Sequence, residues 1–324
     1  MSIPTYVFLF VATFAVTFLI EKRLIPMLSR SAEQPIYEGG PSWHIQKKGT
    51  PTMGGVAFLI SVSVFSLIGY AILMRENADD AASLLLAVGF SVANALVGIF
   101  DDLTKLKRKE NAGLSPKQKL VLQFLIATAF LVLRAIIIGD STVINISSFA
   151  INFGPFYYPL ALIILLGITN CANLTDGVDG LASSVAFAIS AVIFILSLNK
   201  HPDVSILCCT IIGAVLAFLI FNLNPAKIFM GDTGSLFLGA AIASMGFSMG
   251  SPVLLIPICA VYVTEGVSVI LQVIYFKLTG KRLFKMAPVH HHLEKCGMSE
   301  NKICVIGMLY TFLSSLTLIL LIPS

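Results

Sequence analysis

The sequence predicts an all-α, polytopic integral membrane protein, and three observations carry this prediction. Of the 324 residues, 57% are hydrophobic and only 12% are charged, whereas roughly a quarter of the residues in soluble domains are charged. The apolar residues recur in runs of about 17–25, the length that a helix needs to cross a bilayer. Most lysines and arginines fall in alternate loops between these runs. A soluble globular domain is therefore excluded.

The apolar runs and the polar breaks between them predict ten transmembrane helices in one catalytic domain covering 1–324. The predicted spans are 3–20, 53–74, 81–100, 119–138, 156–171, 181–198, 204–222, 234–250, 252–277 and 303–322. The eighth is short, and the ninth carries Glu265 near its middle. Residues near 141–154 alternate loosely between apolar and polar side chains, which predicts a small extracytoplasmic hairpin.

The positive charges predict the orientation of the chain. If ten spans alternate, eighteen of the 21 lysines and arginines fall on one side, and Arg75, Arg134 and Lys200 fall on the other. Because basic loops remain in the cytoplasm, the first side is predicted to be cytoplasmic and both termini extracytoplasmic. The long polar loops, where functional residues tend to lie, then share the cytoplasmic face.

Two adjacent carboxylates, Asp101 and Asp102, end the third predicted span. Acidic residues are unfavourable at the negative end of a helix dipole, and neighbouring carboxylates repel each other unless cations offset their charge. A Mg²⁺ ion takes one or two carboxylates together with the phosphate oxygens of a substrate. The pair is therefore a candidate metal site, and the alternative is an ordinary charged helix end.

Two further cytoplasmic loops combine acids, amides and glycines. Residues 170–180 contain two Asn, two Asp and two Gly, which fit either a plain turn that caps the sixth span or a site for a polar ligand. Gly231 and Asp232 come just before a helix whose first turn presents backbone N–H groups to an anion. A cap needs one such residue and not the run Gly-Asp-Thr-Gly-Ser, so a binding role is favoured here.

Histidines and lysines complete the polar set. His290, His291 and His292 are consecutive and lie inside the chain. Donors to phosphate or sugar oxygens fit them better than a zinc site, because consecutive histidines rarely all reach one tetrahedral metal; a solvated loop is the alternative. Lys47 and Lys48 precede the second span and either set its topology or neutralise a phosphorylated substrate.

Carboxylates and cations lie at one membrane depth, and the Walker spacing of nucleoside triphosphatases is absent from the sequence. This combination suits Mg²⁺-dependent phosphoryl transfer between two anionic substrates. The membrane scaffold indicates that one of them is a lipid. An ion-coupled transporter is the main alternative from another class, since ionisable residues inside spans often mark ion pathways. A transporter is expected to carry its site near the midplane, where only Glu265 lies. Intact acidic motifs disfavour a catalytically silent scaffold.

The motifs resemble those of the phospho-N-acetylmuramoyl-pentapeptide transferases, within the polyprenyl-phosphate N-acetylhexosamine-1-phosphate transferase superfamily. The matching segments are 48–55, 101–102, 173–180, 229–235 and 288–294. The acidic segments mark the superfamily. The histidine segment favours the muramoyl-pentapeptide branch over an N-acetylglucosamine-1-phosphate transferase, which is the nearest alternative.

The resemblance implies a reaction in which UDP-N-acetylmuramoyl-pentapeptide and undecaprenyl phosphate give lipid I and UMP, with Mg²⁺ as cofactor, at the cytoplasmic face of a bacterial cell membrane. Asp232 would ligate the metal with help from Asp101 or Asp102, His290–His292 would contact the diphosphate or the sugar, and Phe229 would stack on uracil. The other implied substrate-binding residues are Lys47, Lys48, Thr52, Asn173, Asp176, Gly177, Asp179, Asn222 and Gly231. The implied partners are the two substrates, the lipid bilayer and a second copy of the chain, with no nucleic acid.

Two roles are open for Asp101. It either attacks phosphorus and forms an aspartyl-phosphate, or it positions or deprotonates the lipid phosphate, which then attacks directly. A phosphate monoester has its second pKa at about 6, so the lipid phosphate is mostly a dianion at neutral pH and needs little base catalysis. Direct attack is the favoured hypothesis.

Overall fold

A computed structural model of the chain shows a bundle of α-helices, as the sequence predicts. It describes residues 1–29, 47, 49–108, 113–139, 142–146 and 149–319. The helices are α1 (Ile3–Leu28), α2 (Gly55–Glu76), α3 (Ala78–Arg108), α4 (Pro116–Ile137), α5 (Tyr157–Thr175), α6 (Leu181–Ser197), α7 (Pro202–Asn222), α8 (Gly231–Ser248), α9 (Leu255–Ile258), α10 (Ala260–Thr279), α11 (Val289–Lys295) and α12 (Glu300–Ile319). Two 3-10 helices, Gly154–Phe156 and Pro252–Leu254, precede α5 and α9.

The expected hairpin lies between α4 and α5. Its two strands are β1 (Val143–Ile146) and β2 (Phe149–Asn152), and they pair antiparallel, with Val143 opposite Asn152. The turn that joins them, 147–148, lies outside the described residues.

Each of the ten predicted spans overlaps one of the longer helices, α1 to α8, α10 and α12. In the described part of the chain, eight of these are long and apolar enough to cross a membrane. The exceptions are α6, which has 17 residues, and α8, which is less apolar. The polytopic α-helical class is confirmed, and the sides on which the termini lie stay a prediction.

The ninth predicted span, 252–277, begins too early. Its first residues form the 3-10 helix and the one-turn helix α9, and α10 starts only at Ala260. Pro252 and Pro257 each lack a backbone N–H, so a continuous helix cannot form across this segment. Glu265 consequently lies in the second turn of α10 and not in the middle of a long span.

Helix α8 is enclosed by its neighbours, and this explains its low apolarity. Fifteen consecutive residues of its 18, Thr233 to Phe247, are buried. Glycines let the adjacent helices approach its first turn closely. A Cβ atom on Gly98 of α3 would lie 2.3 Å from the carbonyl oxygen of Asp232, and one on Gly55 of α2 would lie 2.3 Å from the Cα of Gly234. The beginning of α8 is therefore wedged between α2 and α3.

Two helix ends project beyond the predicted spans and bring charged residues to the same place. Helix α3 continues to Arg108, two turns past the predicted end at residue 100. Helix α4 begins with a capping box, in which the Ser115 hydroxyl accepts from the Gln118 N–H at 3.3 Å and the Gln118 side chain accepts from the Ser115 N–H at 2.9 Å. Pro116 occupies its first position. This start fixes Lys119 in the first turn of α4.

Candidate active site

The three aspartates that the sequence singles out meet where α3 ends and α8 begins. Asp101 and Asp102 are buried in α3, and Asp232 is the half-buried second residue of α8. One carboxylate oxygen from each lies within 4.8 Å of the others. In the described part of the chain, no other group of three or more His, Cys, Asp or Glu side chains comes this close.

Asp102 caps helix α8 from the neighbouring helix. Its Oδ1 accepts from the Asp232 N–H at 3.1 Å, and its Oδ2 accepts from the N–H and the hydroxyl of Thr233 at 2.9 and 2.7 Å. The first N–H groups of a helix have no partner inside it, and a carboxylate is favoured at this positive end. Asp102 therefore joins α3 to α8 with both of its oxygens.

Two lysines, Lys105 and Lys119, lie between the other two carboxylates. Lys105 Nζ is 2.6 Å from Asp101 Oδ2 and 3.2 Å from Asp232 Oδ1. Lys119 Nζ is 3.0 Å from Asp101 Oδ2 and also contacts Asp232 Oδ2. Sequence reasoning counted both only as cytoplasmic positive charges, although the four-residue spacing of Asp101 and Lys105 on a helix was a usable signal.

The end of α5 and the segment before α4 complete the walls of this cluster. Asn173 donates to Asp232 Oδ1 at 3.2 Å and to the Ser235 hydroxyl at 2.8 Å. The Leu114 N–H donates to Asp101 Oδ1 at 2.7 Å, and a Cβ on Gly113 would lie 2.3 Å from the same oxygen. These contacts fix the orientation of Asp101 and Asp232.

The donor set fits a hard divalent cation, because all three close ligands are carboxylate oxygens. Asp101 and Asp232 turn oxygens towards the ammonium groups of Lys105 and Lys119, whose place a cation could take. Both oxygens of Asp102 are instead taken by the start of α8. Asp232 and Asp101 are thus better placed to hold a metal than Asp102.

Asp176 ends α5 close to the aspartate cluster. Its burial raises the pKa of the carboxyl well above its ordinary value, and the negative charges of Asp232 and Asp102 raise it further. The next residue, Gly177, packs against the ring of His290, where a Cβ would lie 2.3 Å from Nε2.

Lys47, Asp179 and Glu300 form a second charged cluster. Lys47 Nζ is 2.6 Å from Asp179 Oδ1 and 2.7 Å from Glu300 Oε2, and the same glutamate oxygen accepts from the Asp179 N–H at 2.8 Å. Burial alone would lower the pKa of Lys47, but the two carboxylates hold it above its ordinary value. The other oxygen of Asp179 accepts from the Asn224 amide and the Ala226 N–H. Sequence reasoning missed Glu300.

Both polar atoms of the Asn222 side chain form hydrogen bonds within the protein. Its Oδ1 accepts from the Gly180 N–H at 3.1 Å, and its Nδ2 donates to the Ile228 carbonyl at 2.9 Å. Asp179 and Asn222 therefore hold the loops after α5 and α7 against each other. Lys48, the neighbour of Lys47, lies outside the described residues.

Residues 51–55 run beside the segment that leads into α8. The Phe229 N–H donates to the Pro51 carbonyl, and the Gly54 N–H donates to the Phe229 carbonyl, each at 2.8 Å. This pairing places Thr52 beside Gly231, whose φ of 72° suits glycine. A Cβ on Gly231 would lie 2.6 Å from Asp102 Oδ2 and 3.0 Å from Thr52 Oγ1. Phe229 itself is half-buried.

The three histidines face three different neighbours. His290 is 1% exposed, and its Nδ1 lies 3.2 Å from Glu265 Oε2. His291 Nδ1 is 2.6 Å from Glu294 Oε2. His292 Nδ1 accepts from the Lys285 N–H at 3.2 Å. The rings of His290 and His291 are in contact, with centroids 4.2 Å apart, but their nitrogens face different partners. A shared zinc ion is disfavoured because consecutive histidines rarely all reach one tetrahedral metal.

A membrane bundle with an acidic, lysine-lined site at its helix ends defines a polytopic membrane transferase that handles anionic substrates. The model of the family described as Glycosyl transferase family 4 matches residues 83–250, from early α3 to just beyond α8. All three clustered aspartates lie in this segment.

More specific matches identify the branch. A signature described as Phospho-N-acetylmuramoyl-pentapeptide-transferase signature 1 matches residues 47–59, which include Lys47 and Thr52. Three relatives carry the name phospho-N-acetylmuramoyl-pentapeptide-transferase. The relative from Halalkalibacterium halodurans is 43% identical over 94% of both chains, and that from Bacillus mycoides is 45% identical over 90% of this chain and 91% of its own. The relative from Clostridium perfringens strain 13 is 42% identical over 95% of this chain and 96% of its own. The chain belongs to the phospho-N-acetylmuramoyl-pentapeptide-transferase family of multi-pass bacterial membrane enzymes, which confirms the resemblance.

Proposed function

We propose that this protein transfers phospho-N-acetylmuramoyl-pentapeptide from UDP to undecaprenyl phosphate, giving lipid I and UMP at the cytoplasmic face of the membrane. The observation that carries the proposal is the convergence of Asp101, Asp102 and Asp232 with two lysines where α3 meets α8. Such a site attracts a divalent cation and phosphate groups together. The family to which the chain belongs supports the choice of this donor over UDP-N-acetylglucosamine.

Mg²⁺ is the cofactor that the donor set favours, with Asp232 and Asp101 as its protein ligands. When bound, it would neutralise negative charge on the donor diphosphate. Asp102 supports the metal site indirectly, because it accepts a hydrogen bond from the backbone N–H of Asp232 at the start of α8. Lys105 and Lys119, freed from the carboxylates, would each offer an ammonium group to phosphate oxygens.

The surroundings of Asp101 support direct attack by the lipid phosphate. One oxygen of Asp101 faces two lysine ammonium groups, and the other accepts from the Leu114 N–H. The lysines, or the Mg²⁺ that would take their place, stabilise the carboxylate as an anion, which makes it a weak nucleophile. In the direct reaction, an oxygen of undecaprenyl phosphate bonds to the sugar-linked phosphorus, and the bond from that phosphorus to the UMP oxygen breaks.

The remaining proposed site residues divide into three groups. Thr52, Asn173, Asp176, Gly177, Phe229 and Gly231 line the region around the aspartates and are proposed to contact the nucleotide or the sugar. Asp179 and Asn222 are proposed to keep the loops in shape, together with Lys47. His291 and His292 are proposed donors to the diphosphate or sugar. Lys48 as a substrate contact and the homodimer stay predictions.

The reaction is tested by UMP release from purified protein in detergent, with each component omitted in turn. We expect release only when the UDP-linked muramoyl-pentapeptide, a polyprenyl phosphate and Mg²⁺ are all present, and no release from UDP-N-acetylglucosamine. Mass spectrometry after incubation with the donor alone tests the mechanism. A phospho-N-acetylmuramoyl-pentapeptide group bonded to Asp101, with UMP released, would refute direct attack.

A further inference from the structure

Glu265 is a buried carboxylate that the proposed reaction does not use. It lies in α10, and its side chain is 5% exposed. An ionisable residue inside a membrane-spanning helix is costly, and it normally has a partner and a function. The sequence offered no partner for it, which kept an ion pathway open as an interpretation.

The structure gives Glu265 a partner in the histidine loop. Glu265 Oε2 accepts from the backbone N–H of His290 at 3.3 Å and lies 3.2 Å from the ring atom Nδ1. One carboxylate oxygen therefore accepts from the backbone of His290 and lies within ion-pair distance of its ring, whose buried Nδ1 forms no aligned hydrogen bond. The hydroxyl of Ser268 donates to the Glu265 backbone carbonyl oxygen at 2.7 Å and does not contact the carboxylate.

The opposite nitrogen of the His290 ring faces the loop after α5. Nε2 packs against Gly177, at a distance that leaves no room for a side chain there. Gly177 follows Asp176, and the same helix end carries Asn173, which donates to Asp232. The ring is thus held between α10 and the loop that adjoins the aspartate cluster.

We propose that Glu265 is a positioning residue of the transferase, whose carboxylate fixes the ring of His290 against Gly177 and so docks the histidine loop on the substrate site. A carboxylate beside Nδ1 selects the tautomer that is protonated there and fixes the ring plane. Glu265 acts through His290 and touches neither substrate nor metal. The effect on turnover rests on the proposed function, whereas the effect on the ring does not.

The ring is tested first, without any substrate. The ¹⁵N spectrum of protein labelled on its five histidines shows the tautomer of each ring, and a His290→Ala spectrum assigns the relevant signals. Glu265→Gln puts either a neutral amide oxygen or an NH₂ group at the position of Oε2, so the negative charge beside Nδ1 of His290 is lost in both cases. We expect the His290 signals to move in Glu265→Gln and to stay in the matched control, Ser268→Ala, which alters the same helix one turn away.

Turnover is tested next by a double-mutant cycle. The His290 N–H loses its charged acceptor in Glu265→Gln, which predicts a fall in kcat/KM of roughly ten- to hundredfold. We expect a fall of less than about twofold in Ser268→Ala. Because Glu265 acts through His290, adding Glu265→Gln to His290→Ala should cost nothing more. Unmoved His290 signals, or full additivity of the two substitutions, would overturn the proposal. If Glu265→Gln does not fold, Gly177→Ala displaces the ring from the other side, and unchanged His290 signals there would equally refute it.

If the wild type released no UMP, the proposed function would fail while the spectrum still decided the ring contact. If the wild type is active and the His290 signals do not respond, only the positioning role fails. The two failures are therefore distinguishable.

Discussion

The replacement Asp102→Asn tests whether Asp102 stabilises the fold by capping α8, as distinct from the part that Asp101 takes in the reaction. Asp102 receives three hydrogen bonds from Asp232 and Thr233 at the start of α8. Asparagine keeps one carbonyl oxygen, but its NH₂ group must then face an N–H donor. At least one hydrogen bond to a charged acceptor is lost, and such a bond contributes about 1.5–3 kcal/mol.

The remaining two hydrogen bonds weaken because the acceptor is no longer charged, so we expect the free energy of unfolding to fall by about 2–4 kcal/mol in total. At roughly 2–4 °C per kcal/mol, the Tm should fall by about 4–16 °C. Thermal unfolding of the purified protein in detergent measures this change, and UMP release measures the accompanying loss of turnover.

Asp101→Asn is the matched control for this replacement. Asp101 caps no helix, its Leu114 contact can pass to the amide oxygen, and Lys105 and Lys119 keep Asp232 as a partner. We expect less than half of the Tm change of Asp102→Asn, with turnover still lost. A wild-type Tm in Asp102→Asn, or equal Tm changes in the two variants, would refute the capping role.

Three further predictions concern the loops around the aspartates. Gly231→Ala places a Cβ against Asp102 in a backbone conformation that only glycine adopts easily, so it should lower the Tm and abolish UMP release. Gly250 has a similar φ but open space around it, so Gly250→Ala should cost only about 1 kcal/mol of strain and leave activity near wild type. Equal losses of activity in the two variants would contradict the steric argument. Burial and nearby negative charge raise the pKa of Asp176, so the folded protein keeps this proton longer than the unfolded chain, and stability falls as the pH rises above the unfolded value of about 3.9. The Tm of Asp176→Asn minus the Tm of the wild type should therefore increase as the pH is raised from 4 to 8. A Tm difference that stays constant over this range would refute the raised pKa of Asp176. Phe229→Ala should weaken UMP binding by about five- to 150-fold in calorimetry, because a stacked aromatic ring is worth about 1–3 kcal/mol per base. Unchanged affinity would count against stacking.

The transmembrane helices and the acidic motifs were predictable because they depend on local patterns. Runs of apolar residues marked every long helix, and loose alternation near 141–154 marked the hairpin. The adjacent carboxylates of Asp101 and Asp102 were unfavourable at a helix end by themselves, which pointed to a partner beyond the helix. The break before α10 was missed because its two prolines lie inside an otherwise apolar run.

The partners of the charged residues were not predictable, because they depend on how distant helices pack. Lys119 lies 113 positions before Asp232, yet it contacts Asp232 across α4 and α8. Glu300 reaches Lys47 over a separation of 253. The sequence treated Asp102 as a candidate metal ligand beside Asp101 and Asp232, but it gave no sign that Asp102 also accepts hydrogen bonds from the first turn of α8. That assignment needed the close approach of two helices, which Gly98 permits.

The convergence of the aspartates around a divalent cation is tested most directly by UMP release over a titration of Mg²⁺, with the wild type beside Asp232→Asn. We expect wild-type turnover to rise from zero with Mg²⁺ and to saturate. The variant, folded with a Tm close to that of the wild type, should stay at least a thousandfold slower at every Mg²⁺ concentration. Full turnover of the wild type after removal of all divalent cations, or near wild-type turnover of Asp232→Asn, would contradict it.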